Sequence, residues 1–150
     1  MKKLVSLLCI CVSVLLASCS TSKSVVSRGI DLSKYKYVAV IDDDTHRIPP
    51  RLMEYQIQLY DAVELSGLTM VGQYRIGELT RSEKSCLLLA TFGISSREED
   101  TTITVNFLDF DTGRPVVSCQ GAYSTLGISR DADLSGALKG VSEQIAKTFK

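Results

Sequence analysis

The sequence predicts an α+β domain. In outline it is a two-layer sandwich, with a mixed or antiparallel sheet of about five strands carrying two helices on one face, in the order β-α-β-β-β-β-α. Three observations predict it. Leu52–Val63 and Leu134–Phe149 space their apolar residues by three and four, the stripe of an amphipathic helix. Cys86–Ser95, Thr102–Phe110 and Val116–Tyr123 have the β-branched and aromatic content of strands. The last two of these alternate apolar with polar residues around Asp111-Thr112-Gly113, so one sheet face is apolar and the other wet.

The chain opens on a leader. Lys2 and Lys3 precede an apolar run, Leu4–Leu16, that ends in the small pair Ala17-Ser18, which is the layout of a secretory signal peptide. A bilayer span needs about 20 apolar residues, and this run is shorter. Leu16-Ala17-Ser18-Cys19 resembles the bacterial lipobox. That resemblance implies cleavage between Ser18 and Cys19, with fatty chains on Cys19. Each buried methylene contributes about 0.8 kcal/mol, and two or more chains give stable anchoring. Plain secretion, with cleavage after Ala17 or Ser18, is the alternative. Ser20 rather than an aspartate follows the cysteine, which by the enterobacterial sorting rule implies the outer membrane. The expected division is a signal peptide over 1–18, a lipidated tether over 19–34 and a single domain over 35–150, lipid-anchored at the outer membrane and facing the periplasm.

Removing 1–18 from the 150 residues leaves 132, an ordinary size for one domain. Lys2 and Lys3 leave with the leader, so 15 basic residues face 17 acidic ones and the formal charge is −2. No basic patch rises from that balance, which argues against a nucleic-acid partner. Ser20–Ser33 is rich in serine and lysine without a sustained apolar period, and reads as a disordered tether.

Tyr35–Ile41 is apolar on both faces, as suits a strand inside a sheet. Pro49 and Pro50 suit the first turn of the following helix, whose stripe is Leu52, Tyr55, Leu59, Ala62 and Val63. Ser66-Gly67 stops it, and Leu68–Val71 is a short strand. Gln73–Ser85 is undecided, with a short helical turn over Ile76–Arg81 as one option. The late hairpin can be read in register. A type I turn at Asp111-Thr112 with Gly113 left-handed opposes Phe110 to Arg114, hence Phe107 to Val117, Val105 to Cys119 and Ile103 to Gly121. Matching the preceding strand sets Ile94 opposite Ile103 and Phe92 opposite Val105. Asp131 or Asp133 caps the last helix, striped by Leu134, Leu138, Val141, Ile145 and Phe149. Gly136 and Gly140 share a face, which would let the helix approach the sheet closely; the alternative is that they only weaken the helix, by about 1 kcal/mol each.

Cys9 and Cys11 leave with the leader, so Cys86 and Cys119 remain where disulfides are permitted. The register puts them about six residues apart along the strands, roughly 20 Å. A bridge needs Cα atoms within about 7 Å. Two buried thiols and no disulfide are expected.

The order of elements, the first strand Tyr37-Val38-Ala39-Val40-Ile41, the passage Gly67-Leu68-Thr69-Met70-Val71 and the hairpin Asp109-Phe110-Asp111-Thr112-Gly113 resemble one periplasmic group. It comprises the TolB amino-terminal domain, the curli-secretion lipoproteins and the penicillin-binding-protein activator lipoproteins. The resemblance implies an envelope role. It does not extend to pore formation, because 132 residues leave no room for membrane-inserting hairpins. Asp109 and Asp111 with Thr112-Gly113 read as a turn, not as a catalytic site.

Asp42, Asp43, Asp44 and His46 form the one cluster with ligand chemistry: carboxylates suit hard cations, and the imidazole a softer one. No Asp-x-Asp-x-Asp-Gly loop or Gly-x-Ser-x-Gly elbow accompanies them. The expected function is therefore a non-catalytic binding or assembly module without a cofactor. It would meet an envelope protein partner through the wet sheet face (Thr102, Thr104, Asn106, Ser118 and Gln120) or the Asp42–Arg47 loop. A small metal-dependent or hydrolytic enzyme centred on Asp42, Asp44 and His46 is one alternative. A subunit of an oligomeric secretion apparatus is the other.

Overall fold

Six strands form one mixed sheet in the order β1-β6-β5-β4-β2-β3. In the computed structural model, which describes residues 19–41, 50–97, 100–125 and 129–150, these are β1 (Cys19–Val26), β2 (Tyr37–Val40), β3 (Thr69–Met70), β4 (Leu87–Ser96), β5 (Thr101–Asp109) and β6 (Pro115–Ser124). The helices are α1 (Pro50–Glu64), the short α2 (Arg81–Lys84) and α3 (Arg130–Phe149), with 3₁₀ turns at Leu32–Lys34 and Gln73–Glu78. The leader and the Asp42–Arg47 loop lie outside the described residues. The fold is the α+β sandwich the sequence predicts, with a sixth strand added at one edge.

β2 runs parallel to both β3 and β4, while β4, β5, β6 and β1 pair antiparallel. That places β2 inside the sheet, and Val38 and Ala39 are fully buried on its two faces. The inner face continues through Leu88, Ala90, Ile103, Val105, Phe107, Val117 and Cys119. Leu59 and Val63 of α1 and Leu138, Val141 and Ile145 of α3 cover it. Burying one such side chain contributes about 1.5–3 kcal/mol, and this layer holds the domain together. Gly67, at φ +93°, ends α1 where a side chain would be strained.

α3 lies very close to β6. A Cβ on Gly121 would strike the Ala137 carbonyl and the Val141 amide, both main-chain groups that cannot step aside. One on Gly136 would enter the Tyr123 ring, and one on Gly140 would stand 3.4 Å from both Gly121 Cα and Ser22 Cβ. The helix glycines thus face the sheet, as their shared face predicts.

The expected pairs Phe107–Val117, Val105–Cys119, Ile103–Gly121, Phe92–Val105 and Ile94–Ile103 are all present. Four expectations need correction. Residues 19–26 are strand, not tether: every β1 residue pairs with β6, whose edge would otherwise leave its ladder groups open. The hairpin carries a register shift between Phe107 and Leu108. Asp109, not Phe110, therefore meets Arg114, donating its amide to the Arg114 carbonyl at 2.9 Å. Ser129 caps α3, its hydroxyl accepting from the Ala132 amide at 3.3 Å, which frees Asp133 to accept from the Thr125 amide. Cys86 is half-exposed, because it sits one residue before β4 begins, while Cys119 is buried. Both are free thiols. Burial pushes the Cys119 thiol up to about 11, against a weak contact with the Thr148 hydroxyl.

Candidate functional site

Alternation along β5 puts Asp109 on the same side as Ile103, Val105 and Phe107, so a carboxylate occupies the last position of an apolar face. A buried carboxylate must be paired or hydrogen-bonded. Asp109, 6% exposed, is both. Oδ2 accepts from Lys34 Nζ at 2.9 Å and from the Tyr35 hydroxyl at 2.8 Å. Oδ1 accepts from the Thr112 amide at 2.9 Å and the Thr112 hydroxyl at 2.8 Å. Gly113, at φ +67°, closes the turn by donating its amide to the Asp109 carbonyl at 2.8 Å. The turn residues that read as structural are therefore tied to a segment some 75 positions earlier in the chain.

The electrostatics follow from those contacts. Burial pushes the Asp109 carboxyl upward, but the Lys34, Tyr35 and Thr112 donors outweigh it and hold the group well below the usual carboxylate range. Burial, and then the neighbouring carboxylate, raise the Tyr35 phenol. The bond to Asp109 raises Lys34, whose ammonium also stands 4.6 Å from the centre of the Tyr35 ring. The Lys34 side chain is 47% exposed, so solvent screens that ion pair, and the Tyr35 and Thr112 bonds do more of the holding. All four bonds run to one carboxylate whose proton affinity is low. It is a latch and a poor base.

Beside it opens a cleft of about 420 Å³ lined by Ser27, Arg28, Lys34, Tyr35, Asp109 and Arg114, among others. Arg28 and Arg114 are exposed at its rim. Three cations surround one carboxylate, and the cleft suits an anionic group.

The structure gathers the expected partner surface onto one face. Thr104 stands opposite Gln120, and Asn106 opposite Ser118, whose hydroxyl donates to Asn106 Oδ1 at 2.7 Å. Thr102 lies on the same face, and all five residues are half-buried. Among the described residues no long helix covers this part of the sheet, since α1 and α3 pack on the inner side. Cys19, the expected lipidation site, opens β1. Ser18, Asp42, Asp44 and His46 lie outside the described residues. Among the described residues no group of three or more His, Cys, Asp or Glu side chains gathers to hold a metal, and no helix is long and apolar enough to cross a membrane. The Asp109 latch and its cleft were not among the expected sites. Their one readable signal was the parity that set an acid on the buried face.

No protein-family model matches this sequence, and no curated protein does. Solved structures do. A PelC dodecamer from Paraburkholderia phytofirmans, in a point-variant form, superposes with a TM-score of 0.55 at 12% identity, over 85% of this chain and 95% of the PelC chain. A second PelC dodecamer structure from that organism gives 0.52 at 14% identity, over 85% and 96%. A PDZ domain protein from Parabacteroides distasonis gives 0.55 at 14% identity, covering 87% of this chain and 36% of its own. At such identities the likeness is one of fold.

Proposed function

We propose that this chain is a non-catalytic, lipid-anchored module of the cell envelope, held at the outer membrane on the periplasmic side and working by binding another envelope component. The observation that carries the reading is the saturation of Asp109: the carboxylate beside the cationic cleft accepts four hydrogen bonds and offers no base to a substrate. What remains accessible there is charge, at Arg28, Lys34 and Arg114, suited to an anionic group on a partner. The polar face of β5 and β6 offers a second, flatter surface. Photo-crosslinkers placed at Arg114 and at Thr104 in cells test this directly. A discrete adduct from either position is the expected result, the one at position 114 lost on Arg28→Glu and the one at position 104 lost on Gln120→Arg. Absence of adducts, with the phenotype lost on His46→Ala and Asp42→Asn/Asp44→Asn, would instead favour the small metal-dependent or hydrolytic enzyme.

A second reading draws on the PelC structures, which are dodecamers and whose chain is matched over nearly its whole length. By analogy this chain would be one subunit of an oligomeric envelope assembly, and its partner a further copy. Light scattering of the detergent-solubilised, lipidated protein separates the two readings: a defined multimer supports the assembly, and a monomer at micromolar concentration removes it.

A further inference from the structure

We infer that the domain meets the bilayer end-on, through the end of the sheet where β1 begins. This rests on the lipid anchor at Cys19 proposed above. If Cys19 carries the fatty chains, no linker separates them from the fold. Cys19 is already a rung of the sheet, opposite Ser124, and the ladder continues without a gap to Val26 opposite Val117. A residue of extended chain spans at most about 3.6 Å, so an anchored Cys19 holds Ser20 and Ser124 at the level of the head groups. Thr101 stands opposite Tyr123, and Ser96 opposite Thr101, at the same end of the next two strands. Neighbouring strands are about 4.8 Å apart, so this row extends sideways along the membrane rather than away from it. α3 starts at the same end, because the Ser129 amide donates to Thr125 Oγ1 at 3.1 Å just past β6.

β1 is fastened along its length, so the anchor has no free arm to swing on. Ser27 donates its amide to the Val116 carbonyl at 2.9 Å and its hydroxyl to the Pro115 carbonyl at 2.7 Å, while Gln144 of α3 donates to the Ser22 hydroxyl at 3.1 Å. The end it presents is polar. Arg97 and Arg130 are both exposed there, beside the acids Asp100 and Asp131, so the end carries mixed charge, and the two arginines have the length to reach lipid phosphates. The other end of β1 runs directly into Ser27 and Arg28 of the cationic cleft. Eight extended residues set that cleft about 25 Å from the lipid surface, turned toward the periplasm.

The chain contains no tryptophan, so one can be introduced as a unique reporter. Lipidated full-length protein carrying Arg97→Trp, or Asp111→Trp at the hairpin tip, is reconstituted into phosphatidylethanolamine–phosphatidylglycerol vesicles containing brominated acyl chains. The expected result is at least twofold quenching of the Arg97→Trp signal with almost none for Asp111→Trp. Equal or reversed quenching would overturn end-on docking. Eight Gly/Ser residues inserted between Cys19 and Ser20 should abolish the difference while the protein stays on the vesicles, and a difference that survives the insertion also overturns the inference. The mass of the amino-terminal peptide separates the two layers of the argument. An unlipidated Cys19 removes the anchor and the docking together, whereas a lipidated Cys19 with equal quenching removes the docking alone.

Discussion

β6 has two neighbours that are held to it in different ways. β5 on one side sends Ile103, Val105 and Phe107 fully into the core and ends in the saturated Asp109. β1 on the other side leaves Val25 61% and Val26 42% exposed, and its inward contact is the small Ser22 beneath α3. β5 is fixed by what its side chains bury. β1 is fixed by main-chain hydrogen bonds and by small residues that let the helix pass. Two strands of one sheet can therefore have very different sensitivities to substitution, and the difference can be measured.

The largest effect belongs to β5. Phe107 is fully buried and packs edge-on to Phe149, with ring centres 4.9 Å apart. Phe107→Ala removes that contact and leaves a cavity between the sheet and the end of α3, at a cost of about 3–5 kcal/mol. Urea denaturation should show the midpoint falling steeply. A loss under about 1 kcal/mol would mean that the inner face is not the close-packed layer described here.

Asp109 comes next, and pH reads it. Its carboxyl is depressed in the folded protein, against an unfolded value near 3.9. The unfolded chain therefore binds this proton more readily. The stabilisation is complete above about pH 4 and is lost as the pH falls through that value toward the lower folded one. Asp109→Asn, which turns one acceptor into a donor facing donors, should cost about 1–3 kcal/mol at neutral pH. It should also flatten the acid limb of the stability curve. An unchanged acid limb in the variant would show that some other carboxylate governs acid unfolding.

How legible these regions were follows the same division. The helices could be read because their stripes repeat at helical spacing, and the β5–β6 pairing because its apolar residues alternate around a turn with glycine in the left-handed position. β1 could not be read that way. Ser20, Thr21, Ser22, Lys23 and Ser24 carry no apolar period, and the free edge of β6 that recruits them is a tertiary feature. Asp109 was half legible. Its parity marks it as a buried acid that needs donors, but nothing local names Lys34 and Tyr35. Thr80 and Glu83 form a reciprocal capping box whose Thr-x-x-Glu signature is in the sequence, and it resolves the undecided stretch before β4 into the short helix α2. The start of α3 was misread by two residues or more, because acids in a first turn suit a helix dipole as well as they suit a cap.

The smallest effect is expected in β1, and it tests the comparison most closely. Val25→Thr keeps a β-branched side chain in a strand, removes little buried surface and breaks no side-chain bond. In the isolated domain it should change stability by no more than about 0.5 kcal/mol. Val25 stands opposite Ser118, on the polar face suggested for contact with a partner. The same substitution measured where a partner or a second copy covers that face would lose apolar burial, and its cost would rise. Urea denaturation at two protein concentrations separates these cases. A penalty that appears only at the higher concentration means that β1 is covered by another copy. A penalty above about 1 kcal/mol at both concentrations means that β1 is held by its side chains after all, and the contrast with β5 fails.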